Sequence, residues 1–136
     1  MTITFRDDLK QLPPDQLYRL FHRVGWNDGA ADSGMIAVFS RPFEGSSLVV
    51  SAWDGNQLVG TARVLTDGVV RAVLLDVAVD PAYQRCGIGQ ELATRCMSAY
   101  PDCEWAVQTD AAEGFYRRLG FTENPGIFLR RPSKWF

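Results

Sequence analysis

Two closely spaced glycines, Gly87 and Gly89, offer the clearest opportunity for chemistry in this sequence. They lie in the segment QRCGIG, residues 84–89, which we call the glycine loop. It follows a valine-rich segment and opens a helically periodic one, so it is predicted to lead into a helix. Backbone N–H groups at a helix N-terminus have no intrahelical partner, and the helix dipole adds positive potential there. Glycine lets phosphate oxygens approach that backbone, and Arg85 adds a cation, so the loop is suited to a diphosphate.

The glycine spacing alone does not separate a phosphate site from an ordinary helix start. From Gly87 the sequence reads GIGQEL, and Leu92 stands where the dinucleotide-binding fingerprint requires its third glycine. No GK[ST] triplet follows, which excludes a P-loop. Both interpretations stay open on these residues by themselves.

Length and charge narrow the classes of function. The chain has 136 residues, which suits one domain over 1–136, and its formal net charge is −2. The longest basic runs are the two pairs Arg117-Arg118 and Arg130-Arg131, so nucleic acid is not an expected partner. A membrane span needs about 18 apolar residues, which no segment provides, and the first ten residues lack the apolar core of a signal peptide. We expect a cytoplasmic protein without a membrane partner.

The cysteines and the histidine point away from metal chemistry. Cys86, Cys96 and Cys103 are odd in number and form no CxxC pair, which argues against a disulfide framework and a zinc site. We expect reduced thiols and no metal. The single histidine, His22, is expected to be solvated or packed on the first helix.

The first part of the chain is predicted to hold an edge strand and two helices. Alternating residues predict a strand over 2–5, and apolar residues at helical spacing predict a helix over 15–24, ended by Gly25. A second short helix is expected to be capped by Asp32 or Ser33 and to end before Pro42.

The second part is predicted to begin with an antiparallel meander. Strands over 47–53, 57–65 and 69–79 are joined by the turns Asp54-Gly55 and Asp67-Gly68. A helix over 87–99, a strand over 105–108, a helix over 110–119 with Gly120 as its C′ residue, and a strand over 126–130 follow. This order predicts an α+β fold with a mixed, mostly antiparallel sheet flanked by helices.

Two motifs resemble the GNAT superfamily of N-acetyltransferases, in particular its small single-domain bacterial members. VAVDPAYQRCGIGQEL, residues 77–92, resembles the family's acetyl-CoA signature, [QR]-x-x-G-x-[GA] after V-x-P, and matches it at Gln84, Gly87 and Gly89. GFYRRLGF, residues 114–121, resembles its late helix motif, FYeklGF. The motifs have the family's order and spacing, and the resemblance covers roughly residues 45–131. It implies the acyl-CoA N-acyltransferase fold and acetyl-CoA as cosubstrate.

The resemblance also implies which residues bind the donor. In the family, the strand before the loop splays from the strand after the loop helix, and the pantetheine arm enters the gap. Cys86 contributes its backbone N–H, and Thr109 stands where many members carry an asparagine. The implied donor-binding residues are Val77, Val79, Gln84, Arg85, Cys86, Gly87, Ile88, Gly89, Gln90, Thr109 and Tyr116.

The catalytic residues follow from the same resemblance. It places Tyr116 near the CoA sulfur, where a phenol can protonate the leaving thiolate as general acid. Asp76 is the only acid on the central strand, and in members that use a glutamate base the corresponding position here is Val73 or Leu75. Asp76 is therefore kept both as a candidate base and as a candidate ligand of the substrate ammonium.

The acceptor site in this family is usually lined by the first two helices and their loops. Here they supply Trp26, Asn27 and Phe39, to which we add Asp76 as substrate-binding residues. We predict transfer of an acetyl group from acetyl-CoA to a primary amine of a small molecule, by direct attack in a ternary complex. The alternatives are a non-catalytic acyl-CoA-binding sensor and acetylation of a protein amine. Because many small members form dimers, a homodimer is one expected assembly.

Overall fold

The computed structural model describes residues 2–134, which form one five-stranded sheet and its flanking helices. The elements are β1 (Ile3–Arg6), α1 (Pro14–Arg23), α2 (Ser33–Ala37), α3 (Arg41–Glu44), β2 (Leu48–Asp54), β3 (Gln57–Thr66), β4 (Arg71–Val79), a 3₁₀ turn (Pro81–Tyr83), α4 (Ile88–Ala99), β5 (Glu104–Ala106) and α5 (Glu113–Arg118). The strands lie in the order β1-β2-β3-β4-β5. Successive pairs are antiparallel except β4 and β5, which are parallel. The predicted mixed, mostly antiparallel sheet is therefore confirmed.

Two apolar clusters cover the two faces of this sheet. Val49 and Val50 are adjacent on β2 but belong to different clusters, as the alternation of side chains along a strand requires. The α4 cluster contains Val50 and, from α4, Leu92 and Cys96. The α1 cluster contains Val49, residues of α1 and Phe43. Both faces of the sheet are thus packed against helices, and Cys96 is buried in the α4 cluster as a small apolar side chain.

A third short helix, α3, interrupts the segment where only two helices were predicted. The cap was predicted correctly, because Asp32 Oδ1 accepts a hydrogen bond from the N–H of Met35 at 2.9 Å. Helix α2 ends at Ala37, however, and Pro42 lies in the first turn of α3. Proline is tolerated there because the missing N–H would have no intrahelical partner. Interpreting Pro42 only as the residue after a helix was wrong.

The predicted strand over 126–130 is absent. Residues 121–130 contain neither helix nor strand, and Ile127, Phe128 and Leu129 are exposed. Alternation favours a strand only where a neighbouring strand can pair with it, and in the described part of the chain β5 pairs with β4 alone. The prediction for this segment was therefore wrong.

The hairpin between β3 and β4 is wider than predicted. Asp67 Oδ1 accepts hydrogen bonds from the N–H groups of Val69, Val70 and Arg71, at 2.7, 2.7 and 3.2 Å. These bonds lower the pKa of the Asp67 carboxyl. The two valines therefore lie in the turn, and β4 begins at Arg71 rather than at residue 69.

A bulge interrupts β4 at Asp76. Its φ is 51°, in the left-handed region that non-glycine residues rarely adopt. Asp76 and Val77 together lie opposite Ala62, so β4 carries one extra residue at this point. The flanking cross-strand pairs are Thr61 with Ala78 and Arg63 with Leu75.

The bulge exchanges the faces to which β4 side chains point. Before it, Leu74 packs in the α4 cluster. After it, Val77 and Val79 pack against that cluster, and Ala78 belongs to the α1 cluster. An extra residue in a strand reverses the alternation, so the left-handed turn at Asp76 aims two valines toward α4.

The strands β4 and β5 separate beyond three paired positions. Residues 71–73 pair with residues 104–106, and Val73 opposite Ala106 is the last pair. Six further residues of β4, from Leu74 to Val79, run on without a partner on that side within the described residues. The resulting gap is the splay that the resemblance implied.

Candidate active site

The gap between β4 and β5 opens into a cleft of about 550 Å³. Four parts of the chain line it: the end of β4, the segment that connects β4 to α4, the first turn of α4, and α5 with the residue before it. The predicted site residues that it brings together are Val77, Val79, Gln84, Arg85, Gly87, Ile88, Gly89, Gln90 and Tyr116. Four further lining residues were not predicted as site residues: Tyr83, Ala112, Phe115 and Arg118.

The glycine loop meets α4 in a conformation that leaves helix N–H groups available. Arg85 and Gly87 have φ values of 65° and 79°, both left-handed. Gly87 is the N-cap of α4, and no side chain accepts a hydrogen bond from the first turn of that helix. The unpaired N–H groups at the start of α4 therefore remain free to bind an anion.

The two glycines serve different purposes. A Cβ on Gly87 would meet no atom within 4 Å, so the residue is required by its φ and not by lack of space. A Cβ on Gly89 would lie 3.4 Å from the ring of Phe115 and 3.6 Å from Val79 Cγ2. Gly89 thus marks the place where α4 lies close to α5 and β4.

A buried carboxylate fixes the 3₁₀ turn that precedes the loop. Only 5% of the Asp80 side chain is exposed, and its Oδ2 lies 2.7 Å from Arg23 Nε of α1. Its Oδ1 accepts a hydrogen bond from the N–H of Ala82 at 2.9 Å. Asp80 therefore ties the turn to α1, on the other face of the sheet.

Two further side chains hold the same turn. The Tyr83 hydroxyl donates to Asp54 Oδ2, at the end of β2, over 2.6 Å. This bond raises the pKa of Tyr83. Gln84 Nε2 donates to the carbonyl oxygen of Val79 over 3.0 Å. The glycine loop is thus positioned by α1, β2 and β4 together.

Tyr116 presents an unshared hydroxyl to the cleft. The residue is 8% exposed, and its ring makes edge-to-face contacts with Phe115 and Phe121, at centroid distances of 5.0 and 5.7 Å. No described residue hydrogen-bonds its hydroxyl, yet no side-chain polar atom in residues 2–134 is both buried and unpaired. The hydroxyl must therefore be accessible from the cleft. Burial raises the pKa of Tyr116, so the phenol keeps its proton at neutral pH and can donate it.

Comparison with known proteins identifies the protein family that has this arrangement. The family model described as the acetyltransferase (GNAT) domain matches residues 45–123, which include the glycine loop and Tyr116. The chain belongs to the GNAT acetyltransferase family. The predicted family is thereby confirmed.

Individual relatives agree with this assignment. GCN5-related N-acetyltransferase 1, chloroplastic, from Arabidopsis thaliana is 35% identical over 126 residues, covering 86% of this chain and 62% of that protein. The uncharacterized N-acetyltransferase ycf52 of Porphyra purpurea is 30% identical over 118 residues, covering 81% and 65%. The structure of the GNAT family acetyltransferase SP0256 from Streptococcus pneumoniae TIGR4 has a TM-score of 0.76 at 25% identity, covering 96% of this chain and 100% of that one. The chain thus spans 62–65% of the length of these two curated relatives.

Three predicted site residues of this GNAT chain lie close to the cleft but do not line it: Asp76, Cys86 and Thr109. Asp76 Oδ2 accepts a hydrogen bond from Arg63 Nε at 2.6 Å, across the bulge. The Cys86 thiol is exposed, 3.6 Å from the carbonyl oxygen of Gln84. The Thr109 hydroxyl accepts from the N–H of Ala112 at 3.0 Å. This last bond accompanies a start of α5 at Glu113 rather than at residue 110, and β5 similarly ends at Ala106 rather than at residue 108.

The predicted acceptor residues gather in an aromatic group around the end of α1, away from the cleft walls. Trp26 is 51% exposed and packs edge-on against Phe21 at 5.0 Å. Phe39 contacts the ring of Tyr18 at 5.5 Å. Asn27 is used within the loop, where its Nδ2 donates to the carbonyl oxygen of Tyr18 at 3.3 Å. None of the three belongs to the residues that line the cleft.

A second depression, of about 360 Å³, lies beside β1 and the start of α1 and contains no predicted site residue. Two of its polar side chains are already used. Gln16 Nε2 donates to the carbonyl oxygen of Asn56 at 3.1 Å and its Oε1 accepts from the N–H of Leu58 at 2.7 Å, while Arg6 pairs with Asp8 at 3.0 Å. This depression supports the β2–β3 hairpin and carries no functional argument.

Residues 2–134 contain neither a candidate membrane span nor a cluster of metal-ligating side chains. None of the helices in that part of the chain combines the length and apolar character of a membrane span. In residues 2–134, His, Cys, Asp and Glu side chains nowhere gather in threes as a metal site would require.

Proposed function

We propose that this chain transfers the acetyl group of acetyl-CoA to a primary amine of a small molecule, by direct attack in a ternary complex. One observation carries the proposal: unpaired N–H groups at the start of α4 and the free hydroxyl of Tyr116 belong to the same cleft. Membership of the GNAT family, whose members generally use acetyl-CoA, supports it. The N–H groups of α4 are suited to binding the diphosphate of a CoA donor, and the hydroxyl of Tyr116 is suited to protonating the thiolate that its thioester releases.

The donor would lie along the cleft from the glycine loop toward Tyr116. In this proposal the diphosphate binds the backbone of residues 84–90, with Arg85 as a cationic contact. The pantetheine arm runs along the part of β4 that has no partner on the β5 side, and Val77 and Val79 offer it backbone groups. The Thr109 hydroxyl, which accepts one hydrogen bond, retains its own proton to donate to the arm.

The proposed chemistry needs one acid and one free amine. The amine nitrogen attacks the thioester carbonyl carbon, a C–N bond forms, and the C–S bond breaks. Tyr116 donates its proton to the departing thiolate, giving free CoA, and is reprotonated from solvent. The proton lost by the amine passes to a base or to water. The products are an N-acetylated amine and CoA.

Asp76 enters the proposal on the acceptor side. Arg63 occupies its Oδ2, and the side chain is 31% exposed. Its Oδ1 is therefore free to hold a substrate ammonium, and this role fits the contact with Arg63 better than removal of a proton does. Both roles stay in the proposal as alternatives. Trp26, Asn27 and Phe39 are proposed as the more distant acceptor wall.

A thiol-release assay tests the proposal. Acetyl-CoA is offered with a panel of small amines, amino acids, polyamines and peptides, and free CoA is measured. We expect turnover with a small primary amine. Tyr116→Phe should lower kcat by about 100-fold or more while CoA affinity stays unchanged. Tyr100→Phe removes a hydroxyl from a tyrosine that does not line the cleft and should leave kcat as it is.

Each alternative has its own outcome in this assay. Tight CoA binding without turnover of any amine would favour the non-catalytic sensor. Turnover confined to peptides would favour a protein amine as acceptor. Equal kcat for Tyr116→Phe and the parent protein would remove Tyr116 from the mechanism.

The setting of the activity is also part of the proposal. We infer that residues 1–136 act as one domain in the cytoplasm and that a homodimer is a candidate assembly. We further infer that neither nucleic acid nor membrane is a partner. Cell fractionation and light scattering of the purified chain test these points.

A further inference from the structure

An arginine with no ionic partner, Arg118, stands on the cleft wall formed by α5, apart from the wall formed by the glycine loop. It is exposed, and no acid among residues 2–134 forms an ion pair with it. Its neighbour Arg117 differs, since it lies 2.6 Å from Glu113 and 3.7 Å from Glu123. The two adjacent arginines thus have different surroundings: one is neutralised, and the other faces the cleft.

The charge of the cleft itself supports an anionic ligand at Arg118. Arg85 and Arg118 line the cleft, and no aspartate or glutamate does, although the whole chain has a net charge of −2. Arg118 Nη1 also lies near Gly114: a Cβ built there would be 3.5 Å from it. The guanidinium therefore leans back along α5, toward the residues before Tyr116.

The glycine loop and Arg118 can bind different phosphates of the same donor. The diphosphate of CoA is matched by the N–H groups at the start of α4 and by Arg85, all on the loop side. CoA carries a third phosphate, on the 3′ oxygen of its ribose, which a diphosphate site does not contact. A guanidinium forms paired, charge-assisted hydrogen bonds with such a terminal phosphate.

We propose that Arg118 binds the 3′-phosphate of CoA and makes this protein distinguish CoA from 3′-dephospho-CoA. The inference rests on the proposed acetyl-CoA site. It assigns to the α5 wall a phosphate site separate from the one formed by the glycine loop.

A cycle of two ligands and matched variants tests this assignment. Calorimetry gives Kd for CoA and for 3′-dephospho-CoA with the parent chain, Arg118→Gln and Arg117→Gln. The parent chain should prefer CoA by about tenfold, the size expected for hydrogen bonds to a charged group. Arg118→Gln should bind both ligands with the Kd that the parent chain has for 3′-dephospho-CoA. Arg117→Gln, which removes a neutralised arginine from the same helix, should keep the full preference.

The remaining outcomes overturn either the inference or its basis. If Arg118→Gln weakens both ligands equally, Arg118 binds the diphosphate and the assignment to the 3′-phosphate fails. Equal Kd values for the two ligands in the parent chain also overturn it, as does an unchanged preference in Arg118→Gln. Failure of the parent chain to bind either ligand would instead overturn the proposed function. Arg118→Lys should restore part of the preference, because lysine returns the charge without the planar fork.

Discussion

At the scale of single residues, the environment of Tyr116 determines how kcat should depend on pH. Burial raises the pKa of Tyr116 above the ordinary 10.0, and the proposed mechanism needs the protonated form. We expect kcat to show no loss from Tyr116 until the pH passes 10.0, and to fall above it. Tyr116→Phe should lack this alkaline fall. A pH profile of kcat at saturating acetyl-CoA measures both, and a fall in both proteins would contradict the assignment.

Cys96 gives a second residue-scale prediction, on stability. Burial raises the pKa of its thiol from 9.0 to about 12, so the folded protein keeps a proton that the unfolded chain loses. The contribution is fully present below pH 9.0 and disappears as the pH rises through about 12. Its full size is about 4 kcal/mol.

Urea unfolding at several pH values across this range measures the effect. The free energy of unfolding should fall more steeply with pH in the parent chain than in Cys96→Ala, which has no thiol to titrate. The slope is the relevant quantity, because the alanine variant also leaves a small cavity. Parallel slopes would show that the thiol is not protected.

Residue identity predicted part of the candidate site. The glycines of the loop were identifiable because few residue types meet their steric requirement, whereas Tyr116 was identified through the resemblance of GFYRRLGF to the late helix motif of the GNAT family. Arg118 lies two positions after Tyr116 in a motif already noted, and the sequence offers a signal that separates it from Arg117: Glu113 stands four positions before Arg117, where a helix pairs them, whereas Gly114 stands at that spacing before Arg118. That Arg118 lines the cleft depends on how α5 packs, which the sequence does not specify.

At the scale of elements, the 3₁₀ turn should set donor affinity. If the bond from Tyr83 to Asp54 positions the glycine loop, Tyr83→Phe should raise Kd for CoA by about tenfold, the value of a hydrogen bond to a charged acceptor. Turnover at saturating donor should stay unchanged, because Tyr116 is not moved.

A double-mutant cycle separates positioning from a general loss of stability. Asp54→Asn should raise Kd as Tyr83→Phe does, and the double variant should be no worse than either single one. Additive effects would mean that the two residues act independently. Tyr100→Phe again serves as the control for loss of a tyrosine hydroxyl.

The bulge in β4 gives another prediction for an element. Alanine at position 76 would have to adopt the left-handed φ of 51° and would leave Arg63, whose side chain is only 16% exposed, without its ionic partner. Asp76→Ala should therefore lower the free energy of unfolding by about 1–3 kcal/mol. Asp76→Asn should cost less, because asparagine tolerates this backbone and can still accept a hydrogen bond. Chemical denaturation measures both, and equal losses would contradict the backbone argument.

Secondary-structure features were predictable where neighbouring residues in the sequence determine them, and not where residues distant in the sequence do. The turn at Asp54-Gly55 and one of the two candidate caps, Asp32, were found because short-range rules govern them. The hairpin at Asp67-Gly68 was located correctly but is wider than predicted, because Asp67 also accepts hydrogen bonds from Val69, Val70 and Arg71. The segment 126–130 has the alternation of a strand, but a strand needs a partner that the sequence does not specify. The left-handed Asp76 was equally inaccessible, since its ion pair joins residues 13 positions apart in sequence.

At the scale of the whole molecule, charge distribution should control donor binding more than net charge does. A chain of −2 would repel an anionic donor weakly, but the residues that line the cleft include two arginines and no acid. KM for acetyl-CoA should rise by about fivefold between roughly 0.01 and 0.15 M ionic strength, as exposed charges become screened. The kcat at saturation should not change. A KM independent of salt would show that the arginines contribute no attraction.

The bulge also limits how this protein can vary in length. Before Asp76 the even-numbered residues of β4 face α4, and after it the odd-numbered residues do, because the bulge adds one residue to the strand. Deleting Ala78 would leave the bulge in place and move Val79 to the face toward α1, whereas deleting Asp76 would remove the bulge and keep Val77 and Val79 facing α4. Changes in length should therefore be tolerated in the wide hairpin at Asp67 or after Gly120, but within this strand only at the bulge itself. Unlike the surface around it, the wall of the donor cleft formed by β4 depends on the position at which the chain gains or loses a residue.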